Sequence, residues 1–198
     1  TRNLRASGRF CRSRACAGGL ATVSAFRSAL SSMVQFLKTD ICVVGAGSGG
    51  LSVAAGAVQM GADVVLVEGG KMGGDCLNYG CVPSKALLAA AHAAHLHTRA
   101  RGLGLSARAP QVNFEQVMDH VHDVIAGIAP VDSVERFSKL GVKVIENYGR
   151  FISPKIMAAG KYYIAAKRFV IATGSSAHVP EIEGLADAPF LTNETIFD

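Results

Sequence analysis

Residues 41–44 form an apolar, mostly β-branched run with no polar position, as in a strand covered on both faces of a sheet. A stretch dominated by glycine, alanine and serine follows, reading as a small-residue helix to about Met60. A second apolar run, residues 64–67, ends on Glu68. An Ala/Leu-rich helix then starts around Cys81 and Pro83 and runs to about Arg99. From Asn113 the apolar residues Phe114, Val117, Val121, Val124, Ile125 and Ile128 recur on one helical face, with Asn113 placed to cap the helix and Pro130 to bend or end it. After Gly141 come five strand-like pieces, at 142–146, 148–152, 155–157, 162–165 and 168–171. They predict a small antiparallel excursion that returns to a parallel strand. The whole pattern predicts an α/β domain on a parallel sheet, with its first strand beginning at Asp40.

Composition supports that reading. With 49% hydrophobic residues, 18% charged residues and 22 glycines in 198 residues, the chain is neither disordered nor fibrous in type. The net charge of +5 is unevenly distributed. Of the 20 lysines and arginines, seven lie in residues 1–39, where there is no acid, so the remainder sets 13 bases against all 15 acids. A slightly acidic body has no electrostatic footprint for a phosphate backbone, so no nucleic-acid partner is expected. Residues 1–38 read as a disordered basic leader or a non-native extension, and residues 39–198 as the N-terminal part of the folded domain. A mitochondrial transit peptide would have this Arg/Ser/Ala composition, and so would translated non-coding sequence ahead of Met33. The corresponding locations are the mitochondrial matrix and the cytoplasm. No membrane partner is expected either: residues 41–67 are apolar, but carry six glycines and are interrupted by Ser48, Ser52, Gln59 and Asp63.

Between the first strand and its helix stands Gly45-x-Gly47-x-x-Gly50. Gly45 permits the tight turn, Gly47 lets the backbone approach a pyrophosphate, and Gly50 lets helix and strand pack closely. The helix start then offers free N–H groups and partial positive charge to phosphates. Glu68, 18 residues beyond Gly50, is placed to accept hydrogen bonds from ribose hydroxyls. The context of strand, helix and closing acid predicts a dinucleotide site, Rossmann-like, without choosing between NAD and FAD. A carboxylate there argues against a 2′-phosphate on that ribose.

Five cysteines form no even disulfide framework. Cys42 reads as an inert core thiol, and Cys11 and Cys16 lie in the basic arm. Cys76 and Cys81 differ: they straddle Gly80, precede Pro83 and sit at the start of a helix, where the dipole favours thiolate. Three other readings compete: two reduced buried thiols, a zinc site with His92 and His95, and a static disulfide. The first leaves the flanking glycines and Lys85 unexplained. The second has ligand spacing at the edge of zinc geometry, with His92, His95 and His97 on a solvated face. The third is disfavoured in a reducing compartment. His120 and His122 fall on different helix faces, so no metal site is expected.

The segment GGDCLNYGCVPSK resembles the active-site segment of the class I pyridine nucleotide–disulfide oxidoreductases, a family that includes dihydrolipoamide dehydrogenase, glutathione reductase and mercuric reductase. The order of glycine fingerprint, acid-terminated strand and cysteine pair is also theirs, over about residues 39–198. Ser84-Lys85-Ala86-Leu87-Leu88 is closer to the dihydrolipoamide dehydrogenase and mercuric reductase branches. The resemblance implies a Rossmann-like FAD-binding domain, with FAD in the nucleotide site and a redox-active disulfide against its ring. Cys76 would exchange with substrate, Cys81 would contact the flavin, and Lys85 would reach the flavin's reactive nitrogen region. Gly74, Gly149 and the run Ala172-Thr173-Gly174-Ser175 would line the cofactor. Electrons would pass from NAD(P)H through FAD to the cysteine pair and on to a small-molecule disulfide or a metal-ion substrate.

Two positions depart from the commonest pattern: Asp75 replaces a usual threonine, and Tyr79 a small aliphatic residue. A carboxylate beside Cys76 is expected to raise that thiol's pKa. No second GxGxxG follows, nor the later Gly-Asp motif, nor a C-terminal dimerisation domain with its His–Glu pair. The expectation is therefore an incomplete FAD-binding domain, inactive alone, from a full-length homodimer that binds NAD(P)H in a domain absent from this chain. The alternative is a truncated dinucleotide-binding module without turnover.

Overall fold

Ten residues, Gln35–Val44, make the first strand, β1. The structure, a computed structural model, describes residues 34–105 and 110–198. Most of the basic arm, with Cys11 and Cys16, lies outside the described residues. β1 pairs in parallel with β2, Val64–Glu68, placing Cys42 opposite Val65 and Val43 opposite Leu66. β2 in turn pairs in parallel with β3, Lys143–Glu146. β-Branched side chains dominate these strands because both faces are covered. On one face, α1 (Ser48–Gln59) and α5 (Val134–Lys139) bury Leu51, Ala54 and Phe137 against Val43, Leu66 and Val142.

The second face is covered by strands. A meander of β4 (Gly149–Ser153), β5 (Ile156–Ala159) and β6 (Tyr162–Ile171) brings Met157, Ala159, Ile164 and Ala166 onto Cys42, Val65, Val67 and Ile145. β4 with β5 and β5 with β6 are antiparallel. The sheet order is β3-β2-β1-β6-β5-β4. The end of β6 lies beside the end of β1, where the Ala172 N–H donates to the Val44 carbonyl at 2.8 Å. The expected antiparallel excursion and its return to the parallel sheet are both present, and the α/β, Rossmann-like architecture holds.

The remaining helices cluster separately. α2 is a single short turn, Gly74–Asn78, followed by α3, Cys81–Gly102. α4, Phe114–Ile128, packs along α3 and is capped by Asn113, whose side-chain oxygen accepts from the Gln116 N–H at 3.2 Å. A 3₁₀ turn, Ala129–Asp132, ends it at Pro130. Only Val121 of its predicted apolar face is fully buried, and Phe114 remains 63% exposed.

The strands after Gly141 shift by one or two residues from expectation, to Lys143–Glu146, Gly149–Ser153 and Ile156–Ala159, and three boundaries differ more. β1 begins at Gln35 rather than Asp40, because Leu37 packs on the core and the buried Thr39 hydroxyl donates to the Asp63 carbonyl at 2.6 Å. Polar side chains there hid a strand that continues. The two pieces expected at 162–165 and 168–171 are one strand: Ala166 is buried, and Lys167 reaches out to Asp40 of β1 at 2.5 Å. α3 extends to Gly102, beyond Arg99. Among the described residues, no helix is long and apolar enough to cross a membrane.

Candidate active site

At the end of β1 the chain turns on Gly45, which has φ +103°. A Cβ there would lie 2.2 Å from the Ala172 carbonyl oxygen, so only glycine fits. Gly45 is held by its N–H to the Val67 carbonyl at 2.8 Å. Gly50, buried in the first turn of α1, presses onto the same loop: a Cβ on it would stand 1.9 Å from the Gly45 carbonyl oxygen. Gly47 is the N-cap of α1 and makes no side-chain cap bond, so no side chain closes off the first-turn N–H groups of this twelve-residue helix.

The segment before the cysteines comes back to this loop. The Gly73 N–H donates to the Ala46 carbonyl at 2.9 Å, and a backbone bridge joins Gly47 to Gly73. Gly74, with φ +57°, would set a Cβ 2.6 Å from the Gly47 Cα. Glu68, at the end of β2, accepts from the Ala46 N–H and from the Gly70 N–H, the latter at 2.6 Å. Two backbone donors thus fix the carboxylate at the mouth of a cavity of about 580 Å³.

That cavity gathers most of the residues that sequence reading assigned to cofactor binding. Gly45, Gly47, Glu68 and Gly74 line one side. Gly149, Ala172, Thr173, Gly174 and Ser175 line the other. Gly50 is packed behind the wall rather than in it, and Lys85 does not line the cavity. Gly149 also has a packing reason to lack a side chain, since a Cβ would fall 2.6 Å from the Met157 sulfur. Lys71, Tyr79, Tyr148 and Glu194 also line the cavity and were not anticipated as cofactor contacts. Tyr148 lays its ring against Gly69, where a Cβ would come within 2.5 Å of a ring carbon. The uncapped helix start, the glycine contacts and the fixed carboxylate fit the diphosphate and ribose of a dinucleotide.

The cysteines lie beside this wall. Asn78 ties down the short α2 by donating to the Gly74 carbonyl at 2.8 Å and the Met72 carbonyl at 3.1 Å. The Gly80 carbonyl accepts from the Ser84 N–H at 3.0 Å and starts α3 at Cys81. Cys76 is half-buried and Cys81 exposed, both as free thiols. A hydrogen bond to Cys81 holds the Cys76 thiol above its ordinary range; burial and the Cys81 charge add to this, and the Lys85 ammonium opposes it.

Asp75 is not the cause of that shift, contrary to the sequence expectation. Its carboxylate accepts from the Asn193 side-chain amide at 3.0 Å, a partner 118 residues away. Cys42 lies fully buried between sheet and meander, and burial pushes its thiol up to about 12.

A larger cavity of about 690 Å³ runs between α3 and α4, lined by Ala90, Ala94, Phe114 and Val117 with His97 and His120 at its edge. It contains none of the predicted site residues. Among the described residues, no three His, Cys, Asp or Glu side chains are grouped to hold a metal ion.

Comparison with known proteins agrees with this geometry. The family described as "Pyridine nucleotide-disulphide oxidoreductase" matches residues 39–197. A mercuric reductase of Bacillus cereus is 32% identical over 159 residues, covering 80% of this chain and 25% of its own length. A dihydrolipoyl dehydrogenase of Pseudomonas aeruginosa is 34% identical over 160 residues, 73% of this chain and 33% of its own. A mitochondrial dihydrolipoyl dehydrogenase of Schizosaccharomyces pombe is 38% identical over 150 residues, 69% and 28% respectively. The chain therefore spans between a quarter and a third of the length of these relatives.

Proposed function

The chain belongs to the pyridine nucleotide-disulphide oxidoreductase family, and on that premise we propose that its cleft holds FAD and that Cys76 and Cys81 are its working redox pair. The observation that carries this reading is the position of the Cys76–Cys81 turn, entered directly from Gly74 and Asp75, which line the glycine-rich cleft. Gly45, Gly47 and the first turn of α1 would hold the diphosphate, Glu68 a ribose, and Ala172 to Ser175 the opposite side. FAD bound there supplies two-electron exchange with the neighbouring cysteine pair.

The protein's own residues then complete the chemistry. In the reduced pair, Cys76 attacks a substrate disulfide as thiolate, forming a mixed disulfide and releasing one thiol. Cys81 attacks Cys76 in turn, restoring the Cys76–Cys81 disulfide and releasing the second thiol. The substrate takes up two electrons and two protons, and the pair loses both. Lys85 favours the attacking form by its positive charge.

In the whole protein the electron donor is NAD(P)H, bound by residues outside this sequence, and the functional unit is a homodimer. The substrate is a small-molecule disulfide or a metal ion, in line with the dihydrolipoyl dehydrogenase and mercuric reductase names of its relatives. The 198 residues by themselves are proposed not to complete turnover.

An absorbance spectrum tests this. Flavin bands should appear on incubation with FAD, and two-electron reduction should add a long-wavelength charge-transfer shoulder that a Cys81→Ser variant lacks. A protein that stays colourless with FAD would overturn the cofactor assignment. One that binds FAD without the shoulder would be a dinucleotide-binding module and no redox enzyme. Robust NAD(P)H-dependent reductase activity from these residues alone would overturn the proposal that they cannot complete turnover.

A further inference from the structure

The cleft is short of positive charge. Three acidic residues line it, Glu68 from β2, Asp75 from α2 and Glu194 from the C-terminal segment, and Lys71 is the one lysine or arginine among its described lining residues. A diphosphate brings two further negative charges. An α-helix start contributes about half an elementary charge, too little to offset that field by itself. Glu68 is engaged by two backbone N–H groups, one of them in the glycine turn, so its carboxylate is held at the cleft.

Lys71 is placed to redress this imbalance. It lies in the short loop between Glu68 and Gly74, one residue beyond the N–H that fixes Glu68. Its Nζ lies 5.0 Å from the centre of the Tyr79 ring, a second lining residue. Contact with the phenol raises the Lys71 ammonium above the usual lysine range, and Asp198 adds to this, so the group stays charged through neutral pH. The loop is itself anchored to the glycine turn by the Gly73–Ala46 bond, which limits how far Lys71 can move from the α1 start.

We propose that Lys71, steadied by Tyr79, is the cationic contact for the diphosphate of the bound dinucleotide. This rests on the cofactor reading above and adds to it a residue pair outside the glycine fingerprint. It also gives a role to Tyr79, where an aliphatic residue would offer neither ring nor hydroxyl. The ring holds the ammonium by cation–π attraction and leaves its protons free for phosphate oxygens.

Equilibrium binding of FAD, ADP and adenosine to the full chain tests the assignment, for the parent protein, Lys71→Gln, Lys71→Arg and Tyr79→Leu. Loss of a charge-assisted hydrogen bond should weaken FAD and ADP about tenfold in Lys71→Gln. It should also reduce the salt dependence of binding, and leave adenosine, which has no diphosphate, unchanged. Lys71→Arg should restore most of the affinity, and Tyr79→Leu, which removes the ring under the ammonium, should lose about two- to threefold, in keeping with a weak supporting contact. Lys71→Gln binding FAD within twofold of the parent would overturn the proposal, and so would an equal loss of adenosine. If the parent protein binds neither FAD nor ADP, the cofactor reading itself fails and this inference falls with it.

Discussion

Gly74 and Cys76 are two residues apart, yet the cleft and the redox turn they belong to are held by different physics. The cleft is a backbone object. Gly45, Gly50 and Gly74 approach other backbone atoms so closely that any Cβ would overlap them. The redox turn is a side-chain object: the Asn78 amide ties α2 down, and the Cys76 thiol pKa is held up by Cys81 and burial and lowered by the Lys85 charge. The two regions therefore tolerate variation unequally. A steric cradle admits almost none, whereas the turn carries an exposed Asp75 and a half-buried Tyr79. Shape fixes one region and charge tunes the other.

The largest expected effect tests the cradle. Gly50→Ala should cost about 3 kcal/mol, the upper part of the overpacking range, because the clash is with backbone that cannot turn aside. For a chain of this size that corresponds to a fall in Tm of about 10 °C, readable by circular dichroism, with loss of FAD binding. A variant as stable as the parent would show that the cradle is soft and erase the contrast.

Cys42, next in size, separates a structural thiol from the reactive pair. Its folded pKa of about 12 lies above the unfolded value, so its contribution to stability is complete below the unfolded thiol pKa. That contribution falls as pH rises towards the folded value, at up to about 1.4 kcal/mol per pH unit. Thermal melts from pH 8 to 11 should show this alkaline loss, and Cys42→Ala should flatten it. The raised Cys76 pKa acts in the same direction, so the Cys76→Ser background isolates the Cys42 effect. At pH 8, iodoacetamide should modify Cys81 and Cys76 in the native protein and reach Cys42 only after unfolding.

Asn78→Ala should cost about 1 kcal/mol for its two hydrogen bonds and slow exchange at the cysteines, measured by dithiol titration. The smallest stability change belongs to Cys76→Ser, within about 0.5 kcal/mol at a half-buried site. The same variant should abolish disulfide exchange altogether. A large drop in Tm there would mean that the thiol has a packing role, and the two regions would be less distinct than they look.

The cradle was legible because its constraints are local. GxGxxG, its strand, its helix and Glu68 follow one another within 24 residues of Gly45, and Gly45 and Gly50 leave no room for a Cβ. The cysteine pair was legible by the same proximity. What escaped reading depends on distant parts of the chain. The Asp75–Asn193 bond spans 118 residues, and it turns the carboxylate away from the task that adjacency to Cys76 suggested. Thr39 and Lys167 broke the apolar pattern of β1 and β6, although one is satisfied by a distant carbonyl and the other by Asp40 on the neighbouring strand. Lys71 carries no motif, and its significance arises only when the loop folds over the cavity.

The backbone bridge between Gly47 and Gly73 has a consequence for protein engineering. It makes the glycine fingerprint and the cysteine turn a single transplantable unit, residues 45–81, indivisible at the point where the two backbones touch. A redox turn grafted onto another nucleotide fold without its partner loop would lose the surface against which α2 is seated. A swap preserving both strands of the bridge would carry the cysteines in register. Chimeras cut on either side of residues 45–81 should therefore succeed far more often than chimeras cut within them.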